Sequence, residues 1–324
     1  MTGTRLGYFL VTEEYTPQQV VEQAVLAEEA GFDALWISDH FHPWNDEQGQ
    51  SAFVWGVIGA ISQVCSLPVT TAVTCPTTRI NPVIVAQAAA TASVQLDGRF
   101  RLGVGSGEAL NEHILGDAWP VAAVRLEMLT EAVGLIRKLW EGDFVDHHGR
   151  YYTAEQARIY TLRETPPEIY MSGFGPEATR LAGEIADGYI TTSPDAELAG
   201  LFRSVAGDKP ITAGYKVAYA PTEDEGVGHA HRLWSNSGLP GELAQVLPSP
   251  RHFEQASTLV TEESTRKSVP CGPDARRHLE GIGPFLETGF DEIYVSNMGP
   301  HYADMIRFYG SEVLPEVRRS LVSG

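Results

Sequence analysis

The sequence predicts an α/β barrel of the (β/α)8 (TIM) type, a single domain over residues 1–324 with an insertion at 221–270 over the barrel mouth. Two observations carry that expectation. Eight short apolar runs alternate with helical stretches, the pattern of parallel strands joined by crossover helices. The run Leu35-Trp36-Ile37 breaks off into Ser38-Asp39-His40-Phe41-His42-Pro43-Trp44. A buried strand ending in an acid, a base and an indole is how such a barrel presents chemistry at the carboxyl ends of its strands. An open doubly wound sheet competes with this reading. It would normally carry a Gly-x-Gly-x-x-Gly fingerprint after the first strand, where this chain reads Val11-Thr12-Glu13-Glu14-Tyr15.

Residues 5–11 form the first strand. Thr16-Pro17 opens a helix, since Thr16 can cap free N–H groups and Pro17 at the first helical position has none to lose. Val20, Val21, Ala24, Val25 and Ala27 make its inward face, and Gly31 stops it. Residues 34–39 are the second strand. A helix at 53–64 leads to the third, Val69–Thr74, and Pro82 opens an alanine-rich helix before the fourth, Phe100–Gly105. A long amphipathic helix covers 121–140, and residues 144–152 read as a surface hairpin turning at Gly149. Glu168–Gly173, Gly188–Ser193 and Ile211–Ala220 are strands five to seven, with Pro176 opening the helix between the first two. Residues 221–270 lack a sustained period and read as the insertion, part helical. A helix from about Pro273, the eighth strand Glu292–Asn297 and two short helices complete the chain.

A length of 324 residues accommodates one barrel of about 250 residues with added loops. The 42 acidic against 23 basic residues give a net charge of -19, which repels nucleic acid and anionic membranes. Cys65, Cys75 and Cys271 show no paired or metal-binding spacing, and their odd number fits a reducing compartment. The first residues lack the apolar core of a signal peptide, and no apolar run reaches membrane-spanning length. The expectation is a soluble, cytoplasmic protein with no nucleic-acid or membrane partner.

The strand ends bring several groups to one mouth: Glu13 from the first, Asp39, His40 and Trp44 from the second, and Ala72-Val73-Thr74 from the third. The fourth adds Gly103 to Glu112, the fifth Gly173-Phe174-Gly175-Pro176, and the sixth Thr191-Thr192-Ser193. Glycines at 103, 105 and 107 let the backbone approach a flat or charged ligand. Gly173-x-Gly175-Pro176 precedes a helix N-terminus, where free N–H groups can hold a phosphate. His40 and Glu108, on neighbouring strands, suit general acid–base work, because burial would raise the Glu108 pKa and make it a proton donor. No metal is expected. His147-His148 and His229-x-His231 have spacings seen in metal sites, but no third ligand is evident, and they read as loop histidines.

Ser38-Asp39-His40-Phe41-x-Pro43-Trp44, Thr78-Arg79-x-Asn81-Pro82 and Gly103-Val104-Gly105-Ser106-Gly107-Glu108-Ala109-Leu110-Asn111-Glu112 resemble the coenzyme F420-dependent glucose-6-phosphate dehydrogenase group of the bacterial-luciferase-like barrels. The resemblance runs along nearly the whole chain and weakens across 221–270. It implies that His40 is the base taking the substrate hydroxyl proton, with Trp44 bracing it and Glu13 orienting His40 or the substrate hydroxyl. It implies that Glu108 is an acid beside the deazaflavin ring, and that Asp39 and Asn111 bond the cofactor. Ala72-Val73 would be a non-prolyl cis peptide behind the ring, flanked by Thr74 and Gly107, and Gly173, Phe174 and Gly175 would hold the cofactor phosphate. A homodimer is implied as well.

The departures bear on the substrate. In the sugar-phosphate dehydrogenases a lysine follows the Thr-Ser pair after strand six; here Thr192-Ser193 is followed by Pro194-Asp195. The loop after strand eight has no Lys or Arg before Arg307, which leaves Arg266 and Lys267 as cations near the expected clamp. A buried phosphomonoester needs charge-assisted donors. The expected activity is therefore hydride transfer to F420 from a carbinol of a neutral sugar or alcohol, met by Thr192, Ser193 and Asp195. The alternatives are the reverse reduction, an FMN-dependent monooxygenase, and a cofactor-binding protein without turnover.

Overall fold

The computed structural model describes residues 3–323. Among these, eight parallel strands close a barrel: β1 (Arg5–Leu10), β2 (Leu35–Ile37), β3 (Val69–Thr71), β4 (Phe100–Val104), β7 (Ile169–Ser172), β8 (Gly188–Thr191), β9 (Ile211–Val217) and β10 (Glu292–Asn297), with β10 returning to β1. The antiparallel pair β5 (Val145–His148) and β6 (Thr153–Ala157) is the predicted hairpin, extended beyond residue 152. The barrel matches the expected fold. β2 and β3 are shorter than the sequence suggests, because ladder pairing stops where the chain turns outward into the mouth.

Local signals act as their chemistry dictates. Thr16 and Gln19 form a reciprocal capping box ahead of Pro17, and Gly31 ends that helix at φ 88°, a left-handed conformation costly for other residues. Asn81 caps the helix that begins at Pro82 by accepting from Val83 N at 2.9 Å. β3 and β4 approach so closely that a Cβ at Gly103 would lie 1.8 Å from the Thr71 carbonyl oxygen. At the opposite end from the mouth, Arg101 grips Glu292 through two bonds of 3.1 and 2.7 Å and also reaches the hydroxyls of Tyr170 and Tyr294.

The segment 221–270 is more helical than expected, with helices at Glu223–Trp234, Leu243–Val246, Pro250–Ser257 and Glu262–Ser268. It packs on the loops leaving β1 and β2. Asn45 and Gln48 both donate to the Leu233 carbonyl at 2.8 Å, and the Trp234 indole donates to Glu14 at 2.7 Å. Phe253 sets its ring edge-on to Trp44, with centroids 5.0 Å apart. No described helix is long and apolar enough to cross a membrane.

Candidate active site

His40 stands at the end of β2 with its Nδ1 3.3 Å from the His42 carbonyl oxygen. Donation to that carbonyl puts the proton on Nδ1 and leaves Nε2 with a lone pair. Nε2 faces two carboxylates, 3.6 Å from Glu13 and 3.7 Å from Glu108. Glu13, at the end of β1, is buried and held by the Ser38 hydroxyl at 2.6 Å. The Trp44 ring lies 5.0 Å from the imidazole and is itself backed by Phe253.

Glu108 keeps 29% of its side chain open to the mouth. Burial still pushes its carboxyl above the ordinary range. His40 opposes that shift, Glu13 adds to it, and Lys216 and the Asn111 amide oppose it. Lys216 is the residue that sequence reading missed. It projects from β9 over the Trp234 ring, 4.5 Å from the centroid, and donates to Ser237 at 3.2 Å. Burial lowers its pKa, while Glu13 and Glu108 hold it up. Its signal in the sequence is a single cation inside the apolar run Ile211–Ala220.

Several predicted cofactor residues are already engaged with the protein. Asp39 accepts from Thr74 at 2.7 Å and from Arg79 at 2.8 Å, and all but 1% of its side chain is covered. The Asn111 side chain accepts from the backbone N–H of Phe41 and His42 and donates to Glu108 at 3.2 Å, tying the His40 loop to the acid. Contacts from Asp39, Thr74 or Asn111 to a ligand would come on top of these bonds. The Ala72–Val73 peptide is cis, and Val73 lies against Gly105, where a Cβ would fall 2.6 Å from its Cγ2. Gly107 turns at φ 83° with Cys75 Sγ only 2.6 Å from where a Cβ would be. The Tyr189 hydroxyl anchors the Gly173 carbonyl at 2.6 Å, and Phe174 is half-exposed at the rim.

A cleft of about 650 Å³ opens between the ends of β8 and β9 and the end of the insertion, lined in part by Phe9, Thr192, Ser193, Lys216, Ser237, Lys267 and Arg277. Asp195 lies outside that lining. Its carboxylate accepts from Glu197 N and Leu198 N, both at 3.0 Å, as the N-cap of the helix Ala196–Ala206. The capping geometry turns it toward its own helix. The reading of His229-x-His231 needs correction. Both lie on the helix Glu223–Trp234 rather than in a loop; His231 bonds the Val260 carbonyl at 2.9 Å, whereas His229 lies near Glu225, one turn before it, and His301, which the fold brings close.

The model of the family described as luciferase-like monooxygenase matches residues 1–292. The chain belongs to this family. The F420-dependent glucose-6-phosphate dehydrogenase of Microbacterium testaceum (strain StLB037) is 35% identical over 97% of this chain and 98% of that one. The enzyme of the same name from Mycobacterium tuberculosis (strain ATCC 25618 / H37Rv) is 33% identical over 98% and 99%. Among solved structures, an F420-dependent secondary alcohol dehydrogenase in complex with an F420–acetone adduct superposes with a TM-score of 0.90 at 32% identity, over 98% of this chain and 100% of that one. This luciferase-like barrel thus shares its length and shape with relatives whose names differ in substrate.

Proposed function

We propose that the protein is a coenzyme F420-dependent dehydrogenase that oxidises a carbinol of a neutral substrate, a small secondary alcohol or an unphosphorylated sugar. The observation that carries the reading is His40 Nε2 standing 3.6 and 3.7 Å from two carboxylates, just beyond direct hydrogen bonding. Nε2 therefore has no hydrogen bond among the described residues, and a hydroxyl approaching from the mouth can bond it.

The residues present fit a planar, phosphate-bearing cofactor. Gly175 begins the helix Pro176–Ile185 without a side-chain cap, and a Cβ there would meet no described atom within 4 Å. The first-turn N–H groups are therefore open to an anion. Gly105 lets β4 pack directly on Val73 of the cis peptide, and Gly107 makes room for Cys75, Glu112 and Trp119. Gly173, Phe174 and Gly175 would hold the phosphate, and Val73 would back the ring. Bound F420 supplies the hydride acceptor, which the side chains cannot.

The protein's own groups do the proton work. The substrate O–H proton passes to His40 Nε2 while the carbinol C–H gives up its hydrogen with the electron pair, leaving a carbonyl. The imidazolium so formed lies beside the Glu13 carboxylate, which stabilises its charge. Glu108, raised by burial, holds a proton for release on the cofactor side. Trp44 and Phe253 wall the base from solvent.

Charge pairing in the cleft supports a neutral substrate. Lys216 faces Glu13 and Glu108, Lys267 pairs with Glu263 at 3.0 Å, and Arg277 stands 3.7 Å from Glu223. Arg266 is turned away to Glu223 and Asp224, at 3.2 and 2.7 Å. A phosphate would have to take these cations from their partners. Steady-state F420 reduction with 2-propanol, glucose and glucose 6-phosphate tests the reading. The alcohol or the free sugar should show the higher kcat/KM; a preference for the phosphate ester would overturn the neutral assignment.

A further inference from the structure

Away from His40, the helix Glu223–Trp234 and the loop after β10 bring three metal-ligating side chains together. Glu225 and His229 are four residues apart, one helical turn, and so share a face. His301 arrives from the far end of the chain. Its Nε2 lies 3.0 Å from Glu225 Oε1, and His229 Nε2 lies 3.6 Å from the same oxygen. The imidazole centroids are 5.7 Å apart, and ligand atoms of the three residues all fall within 4.8 Å of one another.

Two further observations set this cluster apart from a chance surface ion pair. His229 Nε2 is buried and has no hydrogen-bond partner among the described residues. Its nearest partner, Glu225 Oε1 at 3.6 Å, is too far for a hydrogen bond, so this buried nitrogen's bonding capacity is unmet. The loop is also shaped around that ring: Gly299 turns at φ 99°, and a Cβ there would come within 2.8 Å of His229 Cβ.

We propose that Glu225, His229 and His301 bind a divalent transition-metal ion, zinc by preference, with a fourth position left to water. Tetrahedral zinc with bonds of about 2.0–2.1 Å places its donors roughly 3.3 Å apart. The two Glu225 contacts of 3.0 and 3.6 Å bracket that value, so a modest imidazole rotation completes the set. Two imidazoles and one carboxylate select zinc, cobalt or nickel over magnesium or calcium, which prefer all-oxygen shells. Asp304, 3.8 Å from His301 Nδ1, places a carboxylate behind the far nitrogen, where it can orient the ring. The ion would clip the insertion helix to the barrel. That helix ends in Trp234, which bonds Glu14 and underlies Lys216, so the clip would brace one wall of the cleft without touching the reacting atoms.

Titration of the full-length, tag-free protein with CoCl2 and with ZnCl2 tests this. The expected result is one equivalent bound, intense visible bands of four-coordinate cobalt that zinc displaces, and a melting temperature raised by about 3 °C or more in excess zinc. His229→Ala and His301→Ala should each weaken binding at least 10²-fold. Glu225→Gln, nearly isosteric, should weaken it while the circular dichroism spectrum stays unchanged. His148→Ala, on the hairpin, should leave it intact. Absence of a stoichiometric site in the unaltered protein would overturn the proposal, as would a cobalt spectrum that survives in the His229→Ala, His301→Ala double variant.

Discussion

At the scale of single residues, environment gives the two titratable groups opposite tasks. The His42 carbonyl oxygen takes a hydrogen bond from His40 Nδ1, and in the proposed mechanism Nε2 accepts the substrate proton. His40→Ala should lower kcat by about 10²-fold or more with cofactor affinity little changed, measured by steady-state kinetics and cofactor titration. An effect confined to KM would remove the base role. Glu108 is raised by burial, so its acid form persists above the ordinary carboxylate range and is lost as pH climbs through the raised value. Turnover that needs that proton should therefore fall on the alkaline side. Glu108→Gln should slow turnover about 10²-fold and abolish that limb of the pH–rate profile. A limb that persists unchanged would assign it to another group.

At the scale of elements, strand ends position chemistry while helix ends consume polar residues. Asp195 shows the difference. It follows Thr192-Ser193 at the cleft, yet its carboxylate closes the first turn of its own helix. Asp195→Ala should cost about 0.5–2 kcal/mol in chemical denaturation, the usual loss for an N-cap, and leave kcat/KM essentially unchanged. A large drop in kcat/KM at unchanged stability would return Asp195 to the substrate site. Asn111 lies inside the short helix Ala109–Glu112 that follows β4, not at its cap. Its side chain joins the His40 loop to Glu108, so the short helix Ala109–Glu112 sets the spacing of His40 and Glu108.

At the scale of the whole molecule, the insertion is bound to the barrel through the Trp234–Glu14 bond. Burial raises the Glu14 pKa from 4.5 to about 7, against the lowering effect of the indole N–H. Between those values the folded chain retains a proton that the unfolded chain has lost. The stabilisation is full below about pH 4.5 and disappears as pH rises through about 7. Glu14→Gln should therefore gain about 1–3 kcal/mol on the unaltered protein between pH 4 and pH 8. Denaturation curves at the two pH values provide the check, and a difference that stays constant would show that Glu14 titrates normally.

The sequence by itself determined the alternation of strands and helices, the helix starts at Pro17 and Pro82, the stop at Gly31, and the strand ends that carry His40 and Glu108. These depend on periodicity and capping, which act over a few residues and so leave a local trace. It also brought Asp39 and Asn111 forward as polar groups at the mouth. Only the tertiary structure decided that their bonds go first to Arg79, Thr74 and the His40 loop. The same holds for Lys216, whose approach to Glu13 and Glu108 depends on barrel closure, which sets β9 two strands from β1 and three from β4. It holds again for the cluster of Glu225, His229 and His301, where one residue lies more than seventy positions from the other two. Barrel closure and the packing of the insertion set those distances, because both are long-range contacts that no local pattern encodes.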